Sequence, residues 1–454
     1  MIKVKKNTLI ILSSLMCCYV QIVATVNAAE ISSTAQLSNS KTTLVPEQLQ
    51  KQLPKDVVAE LAEIGQFKIG VKTLNIINPA QFDPATQAPK DRELTVEVWY
   101  PTSVDNQHTK KTSYENVTRT GKNFSIQADA FRDSAVLANN EAEKFPLVVI
   151  SHGYTGYRTL MYYLAEHLAS HGYIVAAIDH TDSTNAEIDM INSPFAGFVS
   201  TLLNRSRDQQ FTLNYLTTTP NFLSKVIDSQ KAGLIGYSMG GYGAVNTIGG
   251  CYNFTNTTAS TFTGIKDPEQ VEKVKALLNS CAAGQYETPK VDPRWQAVIA
   301  MAPWGAQHQL FQQEALSKIN TPILYIAGDL DDVSDYNAIK SLYEQTGSDN
   351  KYLLTYQNAR HNVAPHPAPS VAKTSELDIG HYYEPAWNST VLNNNNKHFT
   401  LAMMDCYLKQ KLTQCAYLDL SPDSNQIAID GKTPKPWKGF DHRYAVGMGW
   451  HKKQ

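Results

Sequence analysis

The stretch Gly236-Tyr237-Ser238-Met239-Gly240 sets a serine two positions from a glycine on either side. A hydroxyl in that setting is a nucleophile when the chain turns sharply from a strand into a helix at the serine. The flanks suit such a turn. Leu234 and Ile235 read as the end of a buried strand, and the small residues from Gly241 to Val245 suit a close-packed helix. The glycines leave room where a side chain would collide with neighbouring backbone. Ser238 is the candidate nucleophile. The same pentapeptide also occurs by chance in ordinary turns, so its partners decide between the two readings.

A serine hydroxyl needs a histidine to take its proton, and the histidine needs a carboxylate to hold its tautomer. With a nucleophile on a strand–turn–helix, acid and then histidine follow it, each beyond the carboxyl end of a strand. Ile323 to Ala327 reads as such a strand, and four aspartates crowd the loop from Gly328 to Asp335. Asp331 is the candidate acid, with Asp332 and Asp329 as alternatives. A calcium loop of the EF-hand type fails there, because Val333 and Ser334 stand where an acid and a glycine belong. The next strand, Tyr352 to Tyr356, leads to His361, the candidate general base. His366, between prolines, is the alternative; His381 and His398 read as structural. The developing oxyanion needs two backbone N–H donors. Met239 supplies one, and Tyr154, in the loop from Ser151 to Gly156, the other, with its ring at the mouth of the acyl pocket. His152 reads as a hydrogen-bonding scaffold residue.

These side chains need a sheet to hold them. From Phe145 onward, strand-like runs alternate with helical spacing, the pattern of a mostly parallel sheet. Leu147–Ile150, Tyr173–Ile178, Leu234–Ile235, Ala297–Met301, Ile323–Ala327 and Tyr352–Tyr356 are the strands. Leu160 to Ser170 and Arg207 to Leu216 are the helices between them. Upstream, Gly70–Ile77 and Leu94–Tyr100 alternate as strands, and Pro79, Pro84 and Pro89 make Asn78 to Asp91 a loop. An insertion over about 251–290, rich in Asn and Thr, follows the nucleophile helix and holds one helix near Pro268 to Leu278. It reads equally as a lid or as a surface loop.

The 454 residues are 42% hydrophobic and 18% charged, a globular composition. A formal net charge of −2 leaves no basic footprint for nucleic acid. Lys3, Lys5 and Lys6 precede an apolar run from Leu9 to Val26 and the small residues of Val26-Asn27-Ala28. That is the pattern of a secretory signal peptide over 1–28, with a retained anchor as the competing reading. A lipoprotein reading of Cys17-Cys18 is weakened by Met16, where a small residue belongs. Residues 29–64 read as a loosely ordered leader and 65–454 as one catalytic domain. Export to a secreted or periplasmic location leaves four cysteines, which allow three pairings. Proximity favours Cys251–Cys281 and Cys406–Cys415. The cysteine spacings do not suit zinc, and the chemistry calls for no cofactor.

Several stretches carry a family resemblance. They are Val96-Glu-Val-Trp-Tyr-Pro101, Ser151-His-Gly-Tyr-Thr-Gly-Tyr-Arg158, Leu168-Ala-Ser-His-Gly-Tyr173, Asp179-His180, Gly236-Tyr-Ser-Met-Gly-Gly241, Ala359-Arg-His-Asn362 and Trp437-Lys-Gly-Phe440. Over roughly residues 65–454 the chain resembles the bacterial α/β-hydrolases grouped with platelet-activating factor acetylhydrolases and predicted dienelactone hydrolases. The resemblance implies an α/β-hydrolase fold and carboxylesterase or lipase-like chemistry on a small-molecule, lipid or polymer ester. Tyr154 with Met239 is similar to the pair used by secreted polyester- and cutin-cleaving relatives. Ser238 in place of a cysteine argues against dienelactone hydrolysis. Two rivals stand beside a general esterase: a phospholipid or platelet-activating-factor-type acyl hydrolase, and a non-catalytic binding protein on the same fold.

Overall fold

The computed structural model describes residues 57–84, 86–104, 110–138, 144–425, 436–441 and 445–453. The expected signal peptide and residues 29–56 of the leader lie outside the described residues. In chain order the strands are β1 (Lys68–Asp83), β2 (Ala88–Thr102), β3 (Ser113–Val117), β4 (Asn123–Gln127), β5 (Phe131–Arg132) and β6 (Phe145–Ser151). They continue as β7 (Ile174–Asp179), β8 (Ile227–Tyr237), β9 (Trp295–Met301), β10 (Ile323–Gly328), β11 (Lys351–Tyr356) and β12 (Met448–Lys452). The main helices are α1 (Tyr162–Ser170), α2 (Phe198–Thr218), α3 (Met239–Thr247), α4 (Asn256–Thr263), α5 (Pro268–Leu278), α6 (Tyr336–Gln345) and α7 (Ser389–Tyr407).

Ten strands form one sheet in the order β12-β11-β10-β9-β8-β6-β7-β2-β1-β5, and β3 pairs with β4 beside it. The central run from β7 to β11 is parallel throughout. β2 and β12 close it antiparallel on either side. Alternate residues along a strand face opposite sides of the sheet. Val148 and Ile150 pack in a core with Leu164 and Leu168 of α1 and Phe399 and Met403 of α7. Leu147 and Val149 pack with Leu202 of α2, Val245 of α3 and Ile339 of α6. This is an α/β-hydrolase fold, with helices on both faces of the sheet.

The span from Asn78 to Asp91 corrects the sequence expectation. It is not a loop but the far half of a β1–β2 hairpin. Its prolines fall where a hairpin tolerates them. Pro79 lies in a register shift between Asn78 and Gln81, with Ala80 at φ 52°, and Pro89 pairs opposite Phe82 near the tip. The insertion after α3 is packed rather than loose. Cys251–Cys281 closes it, Cys406–Cys415 is the second disulfide, and the expected helix is α5. The Tyr252 ring stacks on Tyr242 of α3 at 4.2 Å, and Phe254, Val271 and Leu278 are buried.

Behind the sheet's carboxyl edge lies a buried polar chain. Ser151, at the end of β6, donates its hydroxyl to His180 Nε2 at 2.8 Å. His180 Nδ1 donates to Asp208 of α2 at 2.9 Å, and Arg92 of β2 clamps both carboxylate oxygens of Asp208 at 2.8 and 2.9 Å. Gln209 donates to Ser151 Oγ and to the Gly240 carbonyl, both at 2.9 Å. Burial and the nearby Arg205 charge push His180 down to about 3, so it is neutral. Burial alone would raise Asp208, but the Arg92 charge and the His180 hydrogen bond outweigh it and hold this carboxylate far below its usual range. Ser151, His180 and Asp208 thus copy the connectivity of a catalytic triad, yet all three are buried and bonded into the frame. Asp208→Ala removes the buried bidentate partner of Arg92, leaving this buried cation only the half-exposed Asp182 at 3.2 Å. It also strips His180 Nδ1 of its acceptor, so it should cost about 3–5 kcal/mol of folding stability in urea unfolding. A loss below about 1 kcal/mol would contradict this reading of the network.

Candidate active site

Ser238 sits between the end of β8 and the start of α3 with φ 53° and ψ −114°. A left-handed φ at a non-glycine residue costs about 1–3 kcal/mol and persists only where its surroundings enforce it. Here the surroundings are backbone. A Cβ on Gly236 would lie 2.2 Å from the Gly240 carbonyl oxygen, and one on Gly240 would lie 2.0 Å from that of Ser151. Ser238 N–H donates to Met301 O at 2.9 Å, and Ser238 O accepts from Tyr242 N at 2.9 Å and Trp304 N at 3.1 Å. The serine is thereby pinned across β6, β9 and α3.

His361, five residues beyond β11, places Nε2 3.0 Å from Ser238 Oγ. Its Nδ1 lies 2.9 and 3.1 Å from the two carboxylate oxygens of Asp331, in the loop after β10. With Nδ1–H donating to Asp331, Nε2 is free to accept the serine proton. Asp331 also accepts the backbone N–H groups of Val333 and Ser334 at 2.9 and 2.8 Å. Burial works to raise its carboxyl, but His361 and these two N–H donors prevail and hold it below the usual range.

The alternatives are engaged elsewhere. Asp332 pairs with Arg360 at 3.4 Å on the surface, and Asp329 accepts Asn358 N–H at 2.6 Å. His366 is fully buried, 2.6 Å from the Tyr157 hydroxyl, and burial pushes it down to about 4. His152 donates from Nδ1 to its neighbour's carbonyl at 2.6 Å and accepts His180 N–H at Nε2, a scaffold arrangement. Met239 opens α3, where a helix leaves its first N–H groups unpaired. Gly153, next to Tyr154, comes so close to Ser238 that an added Cβ would lie 3.0 Å from the serine Cβ.

An aromatic cluster extends from the elbow, and apart from Tyr154 sequence reading did not find it. Trp304, whose N–H holds Ser238 O, follows β9; the signal for it was only its place just past a strand's carboxyl end. Phe198 lies edge-on to both Tyr154 and Trp304, at 5.2 and 5.5 Å between centroids. Phe262 of the insertion packs against Trp304 at 5.4 Å and against His308 at 5.0 Å. A separate cavity of about 1110 Å³ runs between the β1–β2 hairpin, the start of α2 and the insertion; no member of the Ser238, His361, Asp331 set lines it. Among the described residues no cluster of metal-ligating side chains is present.

The family model for platelet-activating factor acetylhydrolase, isoform II, matches residues 64–197, and that for serine hydrolase (FSH1) matches residues 203–370. Cutinase est1 of Thermobifida alba is 31% identical over 26% of this chain and 36% of its own length. Bis(hydroxyethyl) terephthalate hydrolase of Streptomyces coelicolor is 25% identical over 42% of this chain and 41% of its own. The chain thus aligns with well under half the length of these curated relatives. A solved ferulic acid esterase from Streptomyces cinnamoneus superposes with a TM-score of 0.49 at 18% identity, over 76% of this chain and 92% of that one. The chain thus has an α/β-hydrolase fold, and two successive stretches of it are similar to platelet-activating factor acetylhydrolase, isoform II, and to serine hydrolase (FSH1).

Proposed function

We propose that this chain is an exported serine hydrolase of carboxylic esters, working through a Ser238–His361–Asp331 triad and an acyl-enzyme. The observation that carries the reading is the unbroken hydrogen-bond chain from Ser238 Oγ through His361 to Asp331, at 3.0 and 2.9 Å. Ser238 Oγ attacks the ester carbonyl while His361 Nε2 takes its proton. Asp331, ionised and held in place by two backbone N–H groups, stabilises the imidazolium. The N–H groups of Met239 and Tyr154 receive the negative oxygen. His361 then gives its proton to the departing alkoxide, which leaves as the alcohol. Water, deprotonated by the same nitrogen, attacks the acyl-serine and releases the acid.

Relatives named cutinase and bis(hydroxyethyl) terephthalate hydrolase support an ester as substrate, and the aromatic cluster of Phe198, Phe262 and Trp304 suits an apolar acyl or aryl group. The acetylhydrolase model over residues 64–197 favours a second reading, a phospholipid-type acyl hydrolase with the same triad. Two disulfides support an oxidising compartment, in keeping with the signal-peptide pattern. Among the described residues no helix is long and apolar enough to cross a membrane.

Ser238→Ala should lower turnover of p-nitrophenyl butyrate by about 10⁴-fold or more and abolish fluorophosphonate labelling, with an unchanged circular dichroism spectrum. Retained labelling would place the nucleophile elsewhere, and absence of labelling in the unaltered protein would favour a binding protein. Asp331→Asn should cost about 10⁴-fold in kcat, whereas Asp332→Asn and Asp329→Asn should stay within about threefold. Activity of the unaltered protein should fall on acidification, because the general base must be unprotonated to accept the serine proton, while Asp331 is held below the usual carboxylate range. A series of p-nitrophenyl esters of rising acyl length, run beside short-acyl phospholipids, separates the two substrate readings by kcat/KM.

A further inference from the structure

One buried carboxylate near the site has no part in the triad. Glu384 is 1% exposed, and its two oxygens accept the backbone N–H groups of Arg360 and Asn362, each at 2.7 Å. Those are the residues on either side of His361. A carboxylate that grips both flanks of one residue fixes two peptide planes at once, and with them the direction in which the side chain between them leaves the backbone. Asn362 completes the stitch, donating from Nδ2 to Gly380 O at 2.9 Å and to Tyr383 O at 3.1 Å.

The segment that carries Glu384 is itself anchored. Asp378, also buried, accepts Thr120 N–H at 2.8 Å and the Thr120 hydroxyl at 2.6 Å, on the turn between β3 and β4. From the same turn Arg119 Nε donates to Thr155 Oγ1 at 3.1 Å, next to Tyr154. One continuous set of bonds therefore joins the Tyr154 loop to the His361 loop without passing through the sheet.

Glu384 is also one of the charged groups that surround the His361 loop. The groups facing the imidazole are Asp331 from the loop after β10, Tyr237 at the end of β8 with its ring 5.3 Å away, His381, and Glu384. Arg119 adds positive charge near Tyr237 and His381, and Arg360 is turned outward to Asp332. His381 is pushed well below its ordinary value by burial, and Tyr237 is pushed up by burial, so both stay neutral. Both oxygens of Asp331 and both of Glu384 accept hydrogen bonds, the pattern of ionised carboxylates. Burial raises the Glu384 carboxyl above its ordinary value, against the pull of the two N–H donors and of His361.

We infer that Glu384 is a positioning residue for the reaction: its carboxylate clamps the backbone on both sides of His361 and shares with Asp331 the negative field in which the imidazolium forms. The inference rests on the triad reading for its effect on turnover, but not for its effect on the titration of His361. Glu384→Gln removes the charge and keeps one acceptor; Glu384→Asp keeps the charge on a shorter arm. Each variant is compared with the unaltered protein by the pH dependence of kcat/KM for p-nitrophenyl butyrate and by nuclear magnetic resonance titration of the His361 ring.

In Glu384→Gln the acid limb and the ring titration should both move down by about one pH unit, because an anion facing the imidazolium is gone. At alkaline pH its kcat should fall about tenfold with KM within about twofold, as for a loss felt in the transition state. Glu384→Asp should lose kcat while its acid limb stays in place, and it serves as the test if the Gln variant does not fold. A Gln variant with both titrations within about 0.2 units of the unaltered protein, or an Asp variant with full kcat, overturns the inference. If the unaltered protein hydrolyses no ester, the triad reading fails and the ring titration alone decides the role of Glu384.

Discussion

The molecule depends on one backbone conformation, the left-handed φ at Ser238. A serine does not take that conformation by preference, and it survives because three strands and a helix leave the chain nowhere else to go. The close approaches at Gly236 and Gly240 are to carbonyl oxygens, which cannot swing aside as a side chain can. The peptide N–H and C=O of Ser238 are both bound, to the end of β9 and to the residues just past it. Strain at this point aims the hydroxyl out of the sheet's carboxyl edge and places the first N–H groups of α3 beside it. The parallel sheet is thus a device for holding one unfavourable residue.

The loops around that residue are held by a second device used repeatedly. Buried carboxylates accept backbone N–H groups and so lock loop segments that have no regular structure of their own. Asp331 does this to Val333 and Ser334, Glu384 to Arg360 and Asn362, and Asp378 to Thr120. Asp208 does the equivalent with side chains, tying β2, β7 and α2 together through Arg92 and His180. A charge-assisted bond to a backbone N–H is strong and directional, and burial removes the water that would compete for it. The cost of desolvation is met because each oxygen is paired. Loops that must be precise are therefore built around anions rather than around apolar contacts.

Much of this could be read from the chain itself, for identifiable reasons. Ser238, Asp331 and His361 each stand a few residues past an apolar run, so a local pattern locates them and a rule of order links them. The disulfides follow from proximity, and α5 from its Pro-led amphipathic spacing. What escaped reading depends on contacts between distant segments. Glu384 stands 22 and 24 residues from the N–H groups it binds, in a stretch without periodicity. Helix α7 hides behind Asn393 to Asn396, a polar run that looks solvent-facing. All four are buried, with Asn393 bound to Pro365 O and Asn396 to Val363 O, beneath the His361 loop. The β1–β2 hairpin was masked by prolines that sit at its bulge and tip. Local propensity reads a position alone, and these positions are decided by what lies opposite.

The most direct measurement is a crystal structure of the protein after reaction with an alkyl fluorophosphonate. The account predicts phosphorus bonded to Ser238 Oγ and the phosphoryl oxygen about 2.7–3.1 Å from the N–H groups of Met239 and Tyr154. It also predicts His361 still bridging to Asp331. An adduct on another residue, or a phosphoryl oxygen turned away from those two N–H groups, would contradict it.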